Sequence, residues 1–157
     1  MSEVLNKLNE WVTVLKSNSK NQGKFNLFKV LRGECFYCCL GVLGELLPKC
    51  TFDLNDEYAE HENLTSLKDK DYFSDSAYWV KEKYYLNTKA NVFTNNVEYK
   101  AWAENYNIEY KGNANSEVED ILISFNDYFR LTFSQIAEFL ELFFIPYVEE
   151  QENEKSN

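Results

Sequence analysis

Hydrophobic side chains within residues 1–16 recur at the three- and four-residue spacing of one helix face. They are Val4, Leu5, Leu8, Trp11, Val12 and Leu15. Ser2 stands just before this pattern and is a residue type favoured at helix N-caps, while Glu3 brings a negative charge to the first turn, where the helix dipole favours it. The pattern predicts a helix from about residue 3 to Lys16, followed by a loop over residues 17–23.

The densest apolar run of the chain covers residues 34–47. Three leucines within it share one stripe at helical spacing: Leu40, Leu43 and Leu47. This spacing predicts a central, buried helix over Cys38–Leu47. A buried strand through Cys35–Leu40 is the alternative, because the periodicity of so short a run does not separate a buried strand from a buried helix.

Two glycines, Gly41 and Gly44, lie inside this predicted central helix. Each costs a helix about 1 kcal/mol relative to alanine, so tertiary packing has to outweigh that cost. Small side chains on that side of the helix allow a neighbouring backbone to approach closely. The glycines therefore support a position in the interior of the fold.

Short apolar segments precede the central helix, and a polar region follows it. Residues 25–31 predict a strand, Gly33 a turn, and residues 34–37 a returning antiparallel strand, while Pro48 marks the end of the central helix. Residues 48–75 are polar and predict an extended surface loop with a short helical turn near residues 64–67. Residues 72–86 are rich in aromatic side chains and favour short strands.

Three further helices are predicted in the second half of the chain. The first begins at residues 95–98, with Val97, Ala101 and Trp102 on one side. The second has Ser116 as its N-cap and a buried stripe consisting of Val118, Ile121, Leu122 and Phe125. The third begins with a capping box, in which Thr132 is the cap and Gln135 the third residue, and Pro146 kinks or ends it.

These elements predict one α+β domain over residues 1–148. It is mainly helical, with a small antiparallel sheet packed on the central buried helix. Residues 149–157 contain no apolar side chain and are predicted to form a disordered acidic tail.

Composition narrows the classes of function. The net charge is −10 and uneven: residues 1–50 carry seven basic and four acidic side chains (+3), whereas residues 51–157 carry nine and twenty-two (−13). Acidic surfaces repel nucleic-acid phosphate and favour basic partners, so no direct binding to nucleic acid is expected. No apolar run is long enough for a membrane span and no signal-peptide core is present, which predicts a cytoplasmic protein with reduced thiols.

The helical pair 118–125 and 133–145 raises the possibility of a helix-turn-helix. Its second helix would read DNA, yet over residues 134–144 it contains apolar and acidic side chains and no basic one. DNA-reading helices typically carry Arg, Lys or Asn. An ordinary helical hairpin is therefore the preferred interpretation.

The cysteines admit a structural and a chemical interpretation. Free cysteine is often a small buried hydrophobe, and this is the preferred interpretation of Cys38 and its neighbour Cys39. The alternative is a zinc site built from Cys35, Cys38, Cys50 and the single histidine, His61. Only the first pair has finger-like spacing, so no metal and no cofactor is predicted.

A ligand pocket is the remaining chemical hypothesis. Its candidate residues combine aromatic rings with an adjacent amide and carboxylate: Trp79, Tyr84, Trp102, Asn126 and Asp127. Core packing and a helix C-terminal turn are the structural alternatives for the aromatic rings and for the Asn–Asp pair, respectively. The sequence contains no Gly-rich phosphate loop, paired metal motif or nucleophile elbow, which favours a non-enzymatic role.

Four blocks of the sequence together resemble a family of small uncharacterised proteins encoded by tailed bacteriophages. The blocks are Trp11–Ser17, Tyr37–Leu43, Val97–Trp102 and Leu122–Asp127 with Thr132–Ala137; the Cys-Cys-Leu-Gly-Val-Leu of the second is the most specific. The resemblance implies a phage origin. We therefore expect an accessory protein that acts in the host cytoplasm and binds a host protein, preferentially a basic one, to inhibit or redirect it. A small-molecule or nucleotide binder, or an enzyme, with an aromatic pocket is the alternative.

Overall fold

The computed structural model describes residues 2–52, 67–69, 77 and 79–156. Its first element is helix α1, Glu3–Lys16, as the sequence predicts. Ser2 caps the helix, since its Oγ accepts a hydrogen bond from the Leu5 amide at 3.1 Å. The predicted apolar face of α1 lies in the core, where Trp11 is fully buried; the buried residues are Leu5, Leu8, Trp11, Val12 and Leu15. Helix α1 packs against the central helix and against the C-terminal helices.

A small mixed sheet follows α1. Its strands are β1, Asn21–Gln22, β2, Phe28–Leu31, and β3, Glu34–Tyr37, in the order β1-β3-β2. Strands β2 and β3 form the predicted antiparallel hairpin, and β1 adds a parallel neighbour on the other side of β3. Strand β2 begins three residues later than predicted, because Phe25 adopts a φ of 65°, which is incompatible with an extended strand.

The central helix, α2, covers Cys39–Glu45. Its residues are buried from Cys39 to Gly44, which confirms the prediction of an interior helix. The alternative of a strand through Cys35–Leu40 is wrong beyond Tyr37, because Cys38 caps the helix and the chain turns there. The close approach expected at the glycines is present, since the carbonyl group of Leu27 occupies the space beside Gly41.

Two short strands stand where the sequence predicts an extended loop. Strand β4, Cys50–Phe52, pairs antiparallel with β5, Leu67–Asp69. The loop prediction is therefore wrong at these two segments. Leu67 is buried and packs beside Gly44, and the half-buried Phe52 ring stacks on Phe28 at 4.8 Å. The helical turn predicted near residues 64–67 falls on β5 at Leu67 and otherwise lies outside the described residues.

A helix stands in the described part of the segment 72–86, where the sequence predicts short strands. Helix α3 is Trp79–Lys83, and its buried Val80 and the following Tyr84 share a four-residue helical spacing. The strand prediction is wrong here because burial in this segment follows helical periodicity, which outweighs the β-propensity of the aromatic residues. The part of the prediction over residues 72–76 and 78 lies outside the described residues.

Helix α4, Asn91–Thr94, leads into helix α5, Val97–Asn105. The predicted start of α5 is confirmed, and Asn96 caps it through two backbone amides. Of the three side chains predicted to share one side of this helix, only Trp102 is buried, since Val97 is 79% exposed and Ala101 is exposed. The buried side chains of α5 are Tyr99, Trp102 and Ala103.

Helix α6, Val118–Asp127, has the predicted buried stripe. Its N-cap is Glu117, one residue later than predicted, and the Glu117 amide donates to Asp120 Oδ2 at 2.8 Å. Ser116 instead accepts a hydrogen bond from the Asn113 amide and shapes the preceding turn.

The last helical stretch is longer than predicted. Helix α7, Phe133–Phe139, begins with the predicted Thr132–Gln135 capping box and passes through a π-helical segment, Leu140–Phe144, into helix α8, Ile145–Lys155. Pro146 does not end the helix, since it occupies the first turn of α8, where a missing amide donor costs little.

The acidic end of the chain is also helical. Residues 149–155, which the sequence predicts to be disordered, belong to α8, and the Tyr85 hydroxyl donates to Glu152 at 2.6 Å. Because Tyr85 and Glu152 are 67 residues apart, the local sequence around residues 149–155 does not reveal this contact. The α+β class itself is confirmed: helices pack around α2, with the small sheet against one end of it.

Candidate functional site

The predicted ligand residues lie in three different places. Trp79 and Tyr84 flank Lys83, whose Nζ lies 5.8 Å from the centre of each ring. Trp102 packs in an aromatic cluster with the rings of Tyr99, Tyr106, Phe125, Phe139 and Phe143. Asn126 and Asp127 lie at the end of α6, beside β1 and the start of α2. As ligand-binding residues all five stay predictions.

Asn126 is fully buried, and four hydrogen bonds occupy its side-chain amide. Its Oδ1 accepts from the Cys39 amide at 3.2 Å and from Gln22 Nε2 at 3.0 Å. Its Nδ2 donates to the Gly23 carbonyl at 2.8 Å and to Asp127 Oδ1 at 2.8 Å. Two donors and two acceptor positions are all that a carboxamide offers, so Asn126 is satisfied within the chain.

Asp127 extends the same network to the loop before β2. Its Oδ1 also accepts from the Phe25 amide at 3.1 Å, and Phe25 is one of the residues with a left-handed φ. Gln22 Nε2 further donates to the Leu131 carbonyl at 2.8 Å. The Asn126–Asp127 pair thus joins the end of α6 to β1 and to the start of α2, which are about a hundred residues away in sequence. This geometry gives the pair a structural role.

The cysteines of the central helix are closed to solvent. Cys38 Sγ accepts a hydrogen bond from the Gly41 amide at 3.4 Å, and Cys39 Sγ donates to the Leu122 carbonyl at 3.6 Å. Burial disfavours the thiolate and raises the pKa of Cys38 to about 12 and that of Cys39 well above its ordinary value. A nucleophilic or metal-binding cysteine needs a lowered pKa, so neither thiol is activated at neutral pH.

The zinc hypothesis gains no support from the described part of the chain. Cys35 is exposed on β3, whereas Cys38 and Cys50 are buried. In the ranges that the structure describes, no three His, Cys, Asp or Glu side chains gather in a group able to hold a metal ion. The fourth proposed ligand, His61, lies outside the described residues.

A surface groove of about 310 Å³ lies between α4, the start of α5, the π-helical segment and α8. Three aromatic rings and two carboxylates line it: Phe93, Phe143, Tyr147, Glu98 and Glu150. The ring centres of Phe93 and Tyr147 lie 5.4 Å apart, and the two ring planes are nearly perpendicular, at 77°, which is an edge-to-face contact. We call this feature the acidic groove.

Exposed apolar side chains border the acidic groove. Val92 and Leu142 line it and are 45% and 55% exposed, and the strongly exposed Val97 lies between two lining residues, Asn96 and Glu98. Exposed hydrophobic groups that share one surface mark interaction sites more often than scattered ones do. The apolar border and the acidic lining therefore form one amphipathic surface.

The carboxylates of the acidic groove have no cationic partner within the described residues. Neither Glu98 nor Glu150 takes part in an ion pair there, although both are exposed. Aromatic faces attract cations through their quadrupole, and carboxylates attract them by charge. The lining of the acidic groove is therefore chemically suited to an ammonium or guanidinium group.

Most of the chain matches one known protein family. A family model described as "Domain of unknown function (DUF8296)" matches residues 4–144. The chain belongs to this family. No curated protein and no solved structure matches it. The DUF8296 match ends at the last residue of the π-helical segment, so it contains Phe93, Glu98 and Phe143 but neither Tyr147 nor Glu150.

None of the residues that line the groove of this DUF8296 domain was predicted from the sequence as a ligand-binding residue. Phe143, Tyr147 and Glu150 follow each other at four- and three-residue spacing, which is a helix-face signal. The signal was hidden because the helix was predicted to end or kink at Pro146.

Within the described residues, no helix is both long and apolar enough to cross a membrane.

Proposed function

We propose that this DUF8296 domain is a non-enzymatic phage accessory protein that binds a basic protein in the host cytoplasm and modulates or inhibits it. The observation that carries this proposal is the acidic groove. The half-buried rings of Phe143 and Tyr147 line it together with the exposed Glu98 and Glu150, which form no ion pair within the described residues, and exposed apolar side chains border it. The phage and host parts of the proposal derive from the resemblance of the four sequence blocks.

The chemistry of the groove favours a basic protein segment as the ligand. A lysine or arginine side chain has an apolar stem and a charged head, which match the rings and carboxylates in turn. The negative charge of the whole chain, −10, speeds the approach of a basic partner over a longer distance. Binding should therefore weaken with salt, as expected for surface charge.

The test compares two double variants of equal charge change in a capture experiment from bacterial host lysate. Glu98→Lys with Glu150→Lys reverses the groove, whereas Glu104→Lys with Glu109→Lys reverses two exposed carboxylates that do not line it. We expect a saturable, salt-sensitive partner that the groove variant loses, with an affinity at least tenfold lower, and that the control variant keeps.

Two outcomes would refute the proposal. One is equal capture by both double variants, which would mean that only overall charge matters. The other is the absence of any saturable partner for the wild-type protein.

A second candidate function rests on a separate polar cavity of about 330 Å³ between α4 and residues 110–114. Its lining includes hydroxyl, amide and ammonium groups suited to a small polar molecule: Asn91, Thr94, Asn95, Tyr110 and Lys111. This cavity differs from the aromatic pocket predicted from the sequence, because Tyr110 is the one aromatic residue in its lining, but it supports a small-molecule ligand of polar character. Thermal-shift measurements against nucleotides and sugars, repeated on Lys111→Ala, test it: a rise in melting temperature that the variant loses supports this function.

A further inference from the structure

The outer edge of strand β2 carries backbone groups that β3 does not use. In the β2–β3 pair, Leu31 lies opposite Glu34 across a two-residue turn, and the Cys38 amide donates to the Leu27 carbonyl. In an antiparallel ladder, hydrogen-bonded pairs alternate along the strand. Leu27, Lys29 and Leu31 therefore bond to β3, whereas the amides and carbonyls of Phe28 and Val30 point to the opposite side, away from the sheet.

No strand covers that side within the described residues, because β2 is the last strand in the order β1-β3-β2. Arg32 and Gly33 form the turn with φ values of 51° and 79°, the pattern of a type I′ turn that holds a hairpin at the correct twist. The conformation of β2 is thus fixed at one end by the tight turn and at the other end by the backbone hydrogen bond from Cys38 to Leu27.

The side chains of this edge are apolar and basic. Val30 and Leu31 are 53% and 52% exposed, although native edge strands usually avoid exposed hydrophobic groups. Lys29 precedes Val30 and Arg32 follows Leu31 in the chain, and neither basic side chain has an ion-pair partner within the described residues. Glu34 lies opposite Leu31, so the hairpin residues 28–37 carry two basic side chains and one acidic side chain, a net charge of +1 on a protein whose net charge is −10.

We propose that the β2 edge binds an extended, acidic segment of a partner protein as an additional strand of the sheet. The backbone of Phe28 and Val30 supplies the hydrogen bonds, and alternate side chains supply specificity. On one face the added strand meets Lys29 and Leu31, beside a cavity of about 580 Å³ lined by Leu31, Arg32, Glu34 and Phe36. On the other face it meets Val30.

Charge decides between a foreign segment and a second copy of this chain. Pairing two β2 edges would bring two sets of Lys29 and Arg32 together, and like charges across neighbouring strands are destabilising. A segment with carboxylates opposite these two side chains and apolar residues between them fits the edge instead. The β2 edge and the acidic groove are separate surfaces with opposite charge preference, so this inference does not depend on the function proposed for the groove.

The probe is the capped peptide Ser-Glu-Val-Val-Glu-Ser, whose pattern fits β2 in either strand direction. Its matched control is Ser-Lys-Val-Val-Lys-Ser. Titration into the ¹⁵N-labelled full chain should shift the amide resonances of Phe28 and Val30 and slow their hydrogen exchange, with at least tenfold weaker binding of the lysine peptide. Shifts of equal size with both peptides, shifts confined to other residues, or none at about 5 mM peptide would overturn the proposal.

Two protein variants complete the test. Val30→Pro removes the outward amide without touching a bond to β3 and should abolish binding, whereas Val30→Thr keeps the amide and should retain it. If Val30→Pro does not fold, the double variant Lys29→Glu with Arg32→Glu takes its place and should reverse the preference toward the lysine peptide. Concentration-dependent shifts of Phe28 and Val30 without peptide would instead show that a second copy occupies the edge.

Discussion

A Cβ atom on Gly41 would overlap the carbonyl oxygen of Leu27 and lie 2.7 Å from its carbonyl carbon. The same carbonyl oxygen accepts the amide of Cys38, so the chain before β2 passes directly over the first turn of α2. Because the obstacle is backbone and not a flexible side chain, the position has room for hydrogen only.

Gly41→Ala should therefore destabilise the protein by about 2–3 kcal/mol, since the overlap outweighs the gain of about 1 kcal/mol in helix propensity. The control is Gly44→Ala in the same helix, where the nearest atom is a Leu67 side-chain methyl at 3.0 Å, which can move. We expect that variant to change the free energy of unfolding by less than about 1 kcal/mol. Urea unfolding measures both, and equal values for the two variants would contradict the backbone contact.

Asn126→Ala should cost about 3 kcal/mol or more, because it leaves the buried Cys39 amide and Gly23 carbonyl without partners. The matched control, Asn113→Ala, removes an exposed side chain that accepts one local hydrogen bond from Asn115, and it should cost less than about 1 kcal/mol. Thermal and urea unfolding test the difference. If Asn126→Ala is as stable as the control, the buried network does not hold β1 and α2 together.

Thiol labelling should distinguish Cys35 from the other three cysteines. Cys35 is exposed, whereas Cys38, Cys39 and Cys50 are buried in the native protein. A thiol reagent at neutral pH should modify one cysteine rapidly and the others only after unfolding, and Cys35→Ser should abolish the rapid phase. Rapid labelling of two or more cysteines in the native state would show that at least one of Cys38, Cys39 and Cys50 is accessible to solvent, which contradicts their burial.

Alkaline pH should destabilise the fold through the same buried thiols. The pKa of Cys38 rises from 9.0 to about 12 on folding, so its contribution to stability is complete below pH 9 and is lost as the pH rises toward 12. In that window the unfolded chain releases a proton that the folded chain retains, which lowers the free energy of unfolding by up to about 1.4 kcal/mol per pH unit for each thiol. Burial also raises the pKa of Tyr99 to about 12 and adds to the loss above pH 10.

Urea unfolding at several pH values between 7 and 11 measures this slope. Cys38→Ser removes one titrating group and replaces the N-cap sulfur by an oxygen, which can also accept the Gly41 amide, so it should lower the slope above pH 9. An unchanged slope in Cys38→Ser would show that other groups account for the alkaline loss.

The sequence alone determined those elements whose signals are local. Helix α1 and the capping box at Thr132 were predictable because the cap and the buried stripe lie within one or two turns of each other. The hairpin was predictable from an apolar run on each side of Arg32-Gly33. The burial of the central helix followed from two glycines that a helix tolerates only where something packs closely against them.

Tertiary structure decided the rest, because the deciding partners are distant in sequence. Pro146 does not break the last helix, since it follows the π-helical segment and stands in the first turn of α8. The end of α8 is then tied to the rest of the fold by the hydrogen bond from the Tyr85 hydroxyl to Glu152, 67 residues away in the sequence. Phe93 meets Tyr147 only after both helices have packed, so no local pattern contains the acidic groove. Periodicity records which side of an element is buried; which two elements share a surface depends on the long-range contacts that the folded chain makes.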